Sequence, residues 1–108
     1  MNALLLAAML ATPVQGPAPD ETDVRCYRLM AELARAEDPA ARALGIGAAQ
    51  YFLGRIDAAA PGYDVAAEPP VAEGDRAALL ARCTAALDEN GFDPRALGAS
   101  LEPAEPAI

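Results

Sequence analysis

Apolar residues recur along this chain at intervals of three and four positions and hardly ever alternate with polar ones. Such spacing places them on one face of a helix, so the pattern predicts an all-α protein. Pro, Gly and Asp interrupt the pattern and divide it into four segments. We therefore predict a small four-helix bundle of orthogonal type, with helices over about 22–37, 39–60, 75–89 and 94–102.

The predicted helix ends carry residues that are typical of caps. Asp38 and Asp93 each precede a Pro, and Asp is a good N-cap while Pro at the first helical position loses no needed donor. Gly91 is a predicted C-cap, because Gly adopts the left-handed conformation that ends helices. We interpret the acidic cluster before the first helix as N-terminal caps rather than a metal site; it comprises Asp20, Glu21 and Asp23.

Each of the first three helices has an apolar stripe that should face the inside of the bundle. These stripes consist of Cys26, Met30 and Leu33, then Leu44, Ala48, Tyr51, Phe52 and Ile56, then Leu79, Leu80, Cys83 and Leu87. Between the second and third helices, residues 62–74 contain two consecutive prolines and no apolar periodicity. They predict a surface loop over the bundle or a mobile segment, with Tyr63 near the surface.

Three glycines interrupt the second helix, at Gly45, Gly47 and Gly54. Each is less favourable in a helix than Ala by about 1 kcal/mol, so their presence suggests that something must come close to the backbone. We predict that another helix packs closely against all three. A bound ligand is the alternative, although the spacing is not that of a phosphate-binding loop.

The chain begins with an apolar run over 3–11, which suits a secretory signal and is far too short to span a bilayer. We predict a signal peptide over 1–18, a single helical domain over 19–102 and a disordered tail over 103–108, in a periplasmic or secreted protein. No Arg or Lys precedes the apolar run. A translation start placed too late and a leader kept as a tether therefore remain alternatives.

Cys26 and Cys83 are the only two cysteines. An even number behind an export signal favours a disulfide over two free thiols, whereas two buried reduced cysteines would fit a cytosolic protein. Closing a loop of this length would constrain the unfolded state by about 4 kcal/mol. Two thiols in a chain without His leave a tetrahedral zinc short of ligands, so no metal is predicted.

Composition limits the chemistry of the chain and the class of its partner. There are 16 acidic and 8 basic residues, for a formal net charge of −8, and this argues against nucleic acid or an anionic membrane as partner. The chain has no His and a single serine, Ser100, so an activated nucleophile is not expected. We predict no enzyme activity and no cofactor. The acidic excess serves solubility or faces a basic partner protein.

Three stretches carry a resemblance to known proteins: 26–30, 47–54 and 80–84. Through them the chain resembles small periplasmic proteins of the HdeA acid-stress chaperone type, and the related helical immunity proteins that neutralise secreted bacterial toxins. The resemblance implies one disulfide, here Cys26 with Cys83, that joins the first helix to a later one. The resemblance also implies that the protein acts by binding other proteins.

Two functions follow from these observations. The first is a small exported binding protein, either immunity-like or an envelope assembly partner, that acts through contacts with another protein. The second is a periplasmic acid-stress chaperone, because acid would protonate the carboxylates and leave a net charge of about +8 from the 8 basic residues. The sequence leaves open whether the chain also forms a homodimer.

Overall fold

The computed structural model describes residues 18–101, and the structural statements below concern that part of the chain. The predicted tail and nearly all of the predicted signal peptide lie outside it. The described residues form four α-helices and two short 3-10 turns, without a strand, so the predicted all-α class is confirmed. The helices are α1 (Glu21–Leu33), α2 (Pro39–Ala59), α3 (Arg76–Glu89) and α4 (Pro94–Leu101).

Helix α1 begins where its acidic cap predicts but ends early. Asp20 is the N-cap, and its carboxylate accepts hydrogen bonds from the backbone of the first turn. The helix stops at Leu33, before the predicted end at Glu37, because the chain must turn back to start α2. Arg42 of α2 stabilises this turn by donating hydrogen bonds to the carbonyls of Ala36 and Glu37.

The three predicted caps are confirmed. Asp38 accepts a hydrogen bond from the Ala41 N–H at 2.9 Å, and Pro39 takes the first position of α2. Asp93 accepts from the Ala96 N–H at 3.2 Å in the same way. Gly91 has φ of 64°, a conformation that L side chains rarely adopt, and it ends α3.

The core lies between α1, α2 and α3, and most predicted inward positions are buried there. The buried cluster consists of Cys26, Leu29, Met30, Ala48, Ala49, Phe52, Leu79, Cys83 and Leu87. Leu33, Tyr51 and Leu80 pack against this cluster but stay half-buried. Aromatic contacts close one end of the core, since the Tyr51 ring lies 5.1 Å from Phe52 and 4.8 Å from Phe92.

Helix α2 packs against α1 and α4 with almost no space between the backbones. A Cβ atom added at Gly45 would overlap the backbone of Ala34, directly after α1. A Cβ atom added at Gly47 would overlap the backbone of Pro94 at the start of α4. Only Gly fits at either position, so the predicted close packing is confirmed for both.

The same prediction is wrong for Gly54, and it missed Gly98. Gly54 lies on an exposed part of α2, and a Cβ atom there would meet nothing within 4 Å. Gly98 of α4 is buried against α2, where a Cβ atom would overlap the carbonyl of Ala43. Gly47 and Gly98 therefore form a reciprocal crossing between α2 and α4, and each lets the other helix approach.

The disulfide joins Cys26 of α1 to Cys83 of α3, with a Cα–Cα distance of 5.6 Å. Both residues are fully buried in the core. The predicted link between the first helix and a later one is confirmed. A disulfide is consistent with an oxidising environment such as the one that exported proteins meet.

Candidate functional site

A groove of about 520 Å³ lies between α1 and the segment that connects α2 to α3. We call this segment, residues 60–75, the linker. Val24, which is 4% exposed, and the half-buried Val71 give the groove an apolar floor. Exposed linker residues line the opposite side, including Tyr63 and two consecutive prolines at 69 and 70.

The linker wall of the groove has local order. Two 3-10 turns, Val65–Ala67 and Glu73–Asp75, interrupt what the sequence predicts as an irregular connection. The Tyr63 hydroxyl donates a hydrogen bond to the Glu68 carboxylate, which raises the pKa of Tyr63 because the negative charge disfavours the phenolate. Tyr63 is 38% exposed, as the sequence predicts, and it lines the groove.

Three ion pairs connect α1 to other parts of the fold, and one of them, between Arg25 and Asp75, lines the groove. Arg25 of α1 lies 3.8 Å from Asp75 of the linker. Glu32 of α1 pairs with Arg76, the first residue of α3. The third pair, Asp23 with Arg55 of α2, sits on the other side of α1 and fixes its beginning against α2. Together these pairs hold the helix that forms one wall.

The pair between Asp23 and Arg55 contains the least exposed carboxylate of the three. Arg55 Nε donates to both carboxylate oxygens of Asp23 at 3.1 Å, and the Asp23 side chain is only 13% exposed. This hydrogen bond and charge raise the pKa of Arg55 above its ordinary value. The structure corrects the sequence interpretation here, since Asp20 is the N-cap of α1 and Asp23 binds an arginine from α2.

Two charged residues of the groove have no partner among the described residues. Glu21, in the first turn of α1, is exposed and makes no hydrogen bond or ion pair there. Arg28, two turns further along, is half-buried, and its Nε is buried without a hydrogen-bond acceptor. The groove therefore presents an unpaired carboxylate and an unpaired guanidinium along the same helix.

The sequence did not single out this groove, because its two walls come from segments about 40 residues apart. Arg25 and Arg28 lie at i and i+3, which places them side by side on one face of a helix. Tyr63 was expected at the surface of a proline-containing loop. Those two signals point to the two walls, but nothing in the pattern indicates that the walls face each other.

Other kinds of site find little support within residues 18–101. No three His, Cys, Asp or Glu side chains in this range come together as a metal site requires. None of its four helices combines the length and the hydropathy needed to cross a bilayer.

No protein-family model matches this chain, and the comparisons with curated proteins and with solved structures gave no match.

Proposed function

We propose that this chain is a small exported protein without catalytic activity that binds another protein through the groove between α1 and the linker. The observation that carries the proposal is the combination of an apolar floor with unpaired charged groups on a single wall. Protein–protein interfaces combine an apolar centre with polar groups around it. The predicted leader and the buried disulfide support export.

The charge of the chain favours a partner with a basic surface. At a formal net charge of −8, a basic protein would be attracted over a distance comparable to the Debye length, about 8 Å at physiological ionic strength. Two copies of this chain repel one another for the same reason. An immunity-like inhibitor and an envelope assembly partner both fit this description, and both would form a complex that weakens as salt is added.

Site-specific photo-crosslinking in the exporting cell tests the proposal. A photoreactive phenylalanine analogue replaces Tyr63 in the groove, and the control carries it at Ala85, an exposed position on α3 that does not line the groove. We expect a discrete crosslinked protein from position 63 and not from position 85. Titration of that purified protein in 50 and 300 mM salt should then show weaker binding at the higher concentration.

Two results would argue against this function. The same crosslinked species from both positions would mean that the groove is not the contact surface. The absence of any discrete species from position 63, with the protein correctly exported and oxidised, would remove the evidence for a stable partner.

A second candidate is the acid-stress chaperone, and the ion pairs around α1 favour it. All three depend on a carboxylate, at Asp23, Glu32 and Asp75, and carboxylates are ordinarily neutral at pH 2 to 3. Loss of these pairs would loosen α1 from α2 and α3 and expose apolar faces. Light scattering of an acid-sensitive client at pH 2.5 tests this function. Precipitation of the chain together with its client would contradict it.

A further inference from the structure

The two unpaired charges of the groove lie on one face of α1 at a fixed spacing. Glu21 and Arg28 are seven residues apart, which is close to two helical turns, so they point in nearly the same direction. At a rise of 1.5 Å per residue their backbones are separated by about 10 Å along the helix. Val24 lies between them on the same face and forms the floor.

The neighbouring charges are already engaged within the fold. Arg25 pairs with Asp75, and Glu68 accepts the hydrogen bond of Tyr63. Glu68 keeps its negative charge on the linker wall, whereas along α1 the groove offers one unpaired negative group, an apolar patch and one unpaired positive group in that order. The half-buried Arg28 has lost part of its hydration, and no hydrogen bond within the fold replaces it. A ligand carboxylate that pairs with the Arg28 guanidinium would therefore bind more tightly.

An extended peptide matches this spacing. A polyproline II segment advances about 3.1 Å per residue with three residues per turn, so side chains three positions apart lie on the same side of it and about 9 Å from each other, close to the separation between Glu21 and Arg28. Resting on the proposed binding function, we propose that the groove binds an extended segment of the partner protein that carries a basic and an acidic residue three positions apart, with an apolar side chain between them. The basic residue pairs with Glu21, the acidic residue pairs with Arg28, and the apolar side chain contacts Val24.

The parts of this chain outside the described residues do not meet that requirement. Residues 1–17 and 102–108 contain no Arg or Lys, so neither segment has a basic side chain for Glu21. The charge pattern of the groove instead fits a partner whose basic surface also contains an acidic residue at the right distance. This agrees with a partner that is basic overall.

A peptide array tests the charge pattern directly. The probes are twelve-residue peptides with two charged residues placed one, three or six positions apart, in every combination of sign and order, with Val between them where space allows. We expect the oxidised wild-type chain to retain peptides with opposite charges three positions apart. One order of the two charges should dominate, because the segment lies along α1 in one direction.

Substitutions then assign each charge to its residue. Fluorescence anisotropy with the best peptide should show about tenfold weaker binding for Arg28→Gln and for Glu21→Gln, a loss typical of one charge-assisted hydrogen bond. The matched controls, Arg35→Gln and Glu89→Gln, remove the same charges from exposed positions outside the groove and should bind like wild type. The double variant Glu21→Arg, Arg28→Glu should prefer the opposite order of charges.

Three results would overturn the inference. They are an unchanged peptide preference in Arg28→Gln, a wild-type preference for like charges or for no charges, and the absence of any retained peptide. A wild-type dimer in sedimentation equilibrium that Arg28→Gln converts to monomer would identify a second copy as the occupant instead. If crosslinking at position 63 succeeds while the array fails, binding through the groove stands and only the charge pattern is wrong.

Discussion

Helix α2 and helix α3 are held in the fold by different kinds of contact. Three glycine contacts, at Gly45, Gly47 and Gly98, bring α2 to backbone distance from its neighbours α1 and α4. Helix α3 has no such glycine contact. It packs into the core through Leu79, Cys83 and Leu87, and it is joined to α1 by the disulfide at Cys83 and by ion pairs at Arg76 and the preceding Asp75.

This difference explains why a groove lies between α1 and the linker and not between α2 and its neighbours. At the glycine contacts the backbones lie so close that no space for a ligand remains between α2 and its neighbours. Helix α3 packs on the core through side chains, and the linker that precedes it stands away from α1 and leaves a groove beside it. A small domain with little core gains from a covalent attachment at that place.

Removal of the disulfide should have the largest effect, because it acts on the attachment of α3. The double variant Cys26→Ala, Cys83→Ala frees a loop with a sequence separation of 57, and we expect a loss of about 4 kcal/mol in the free energy of unfolding. Urea unfolding followed by circular dichroism measures the loss. Hydrogen exchange of the variant should show that α3 amides lose more protection than α2 amides.

Two outcomes would contradict the comparison between the helices. Equal loss of protection in α2 and α3 would show that the glycine contacts do not stabilise α2 independently. An unchanged urea midpoint would show that the disulfide contributes nothing to stability.

Substitution of single glycines tests the close backbone contacts of α2, and another glycine of α2 provides the control. Gly47→Ala should lower the free energy of unfolding by about 1–3 kcal/mol, because its Cβ would overlap Pro94 and force α4 away. Gly54→Ala meets nothing and should raise it by up to about 1 kcal/mol through helix propensity. Urea midpoints of the two variants should thus move in opposite directions. A gain in both would mean that α2 and α4 are not in backbone contact.

These two glycines also mark the limit of what the sequence can predict. Helix caps at Asp38 and Asp93 depend on neighbouring residues, so local pattern is enough to identify them. The apolar stripes likewise follow from a helical period, and the buried cluster matches them. A glycine inside a helix indicates only that a side chain is missing. What lies opposite is decided by another part of the chain, and Gly47 and Gly54 look alike in the sequence.

The groove and the ion pair between Asp23 and Arg55 were beyond prediction for the same reason. Asp23 and Arg55 are 32 residues apart, and their pairing depends on how α1 crosses α2. In the sequence, Asp23 is one member of an acidic cluster at a helix start. Arg28 likewise carries no sign that its Nε is buried without an acceptor.

Removal of the Asp23 carboxylate tests whether an ion pair also stabilises the contact of α2 with α1. Asp23→Asn should lower the free energy of unfolding by about 1 kcal/mol, typical of a hydrogen bond between side chains. Asp57→Asn, at an exposed position of α2, is the control and should have no effect. Equal urea midpoints for the two variants would show that the pair contributes nothing beyond its surface charge.

The pH dependence of that loss follows from the pKa of Arg55. This pKa is raised in the folded state, so the stabilisation is fully present below the pKa of the unfolded state and is lost only as pH rises through the still higher folded value. Between pH 6 and 9 the difference between wild type and Asp23→Asn should therefore be constant. A difference that fades within this range would mean that another group titrates with the pair.

The smallest expected effect concerns the linker wall of the groove. The hydrogen bond from Tyr63 to Glu68 raises the pKa of Tyr63 above its ordinary value near 10, and Glu68→Gln should return the pKa toward that value. Carbon-13 spectra of labelled tyrosine, assigned with Tyr63→Phe, follow the titration. Because the folded-state pKa is raised, the contact stabilises the linker below pH 10 and is lost as pH rises through the folded value. If Tyr63 titrates identically in wild type and Glu68→Gln, the linker wall lacks this contact, and the disulfide and ion pairs alone position it beside α1.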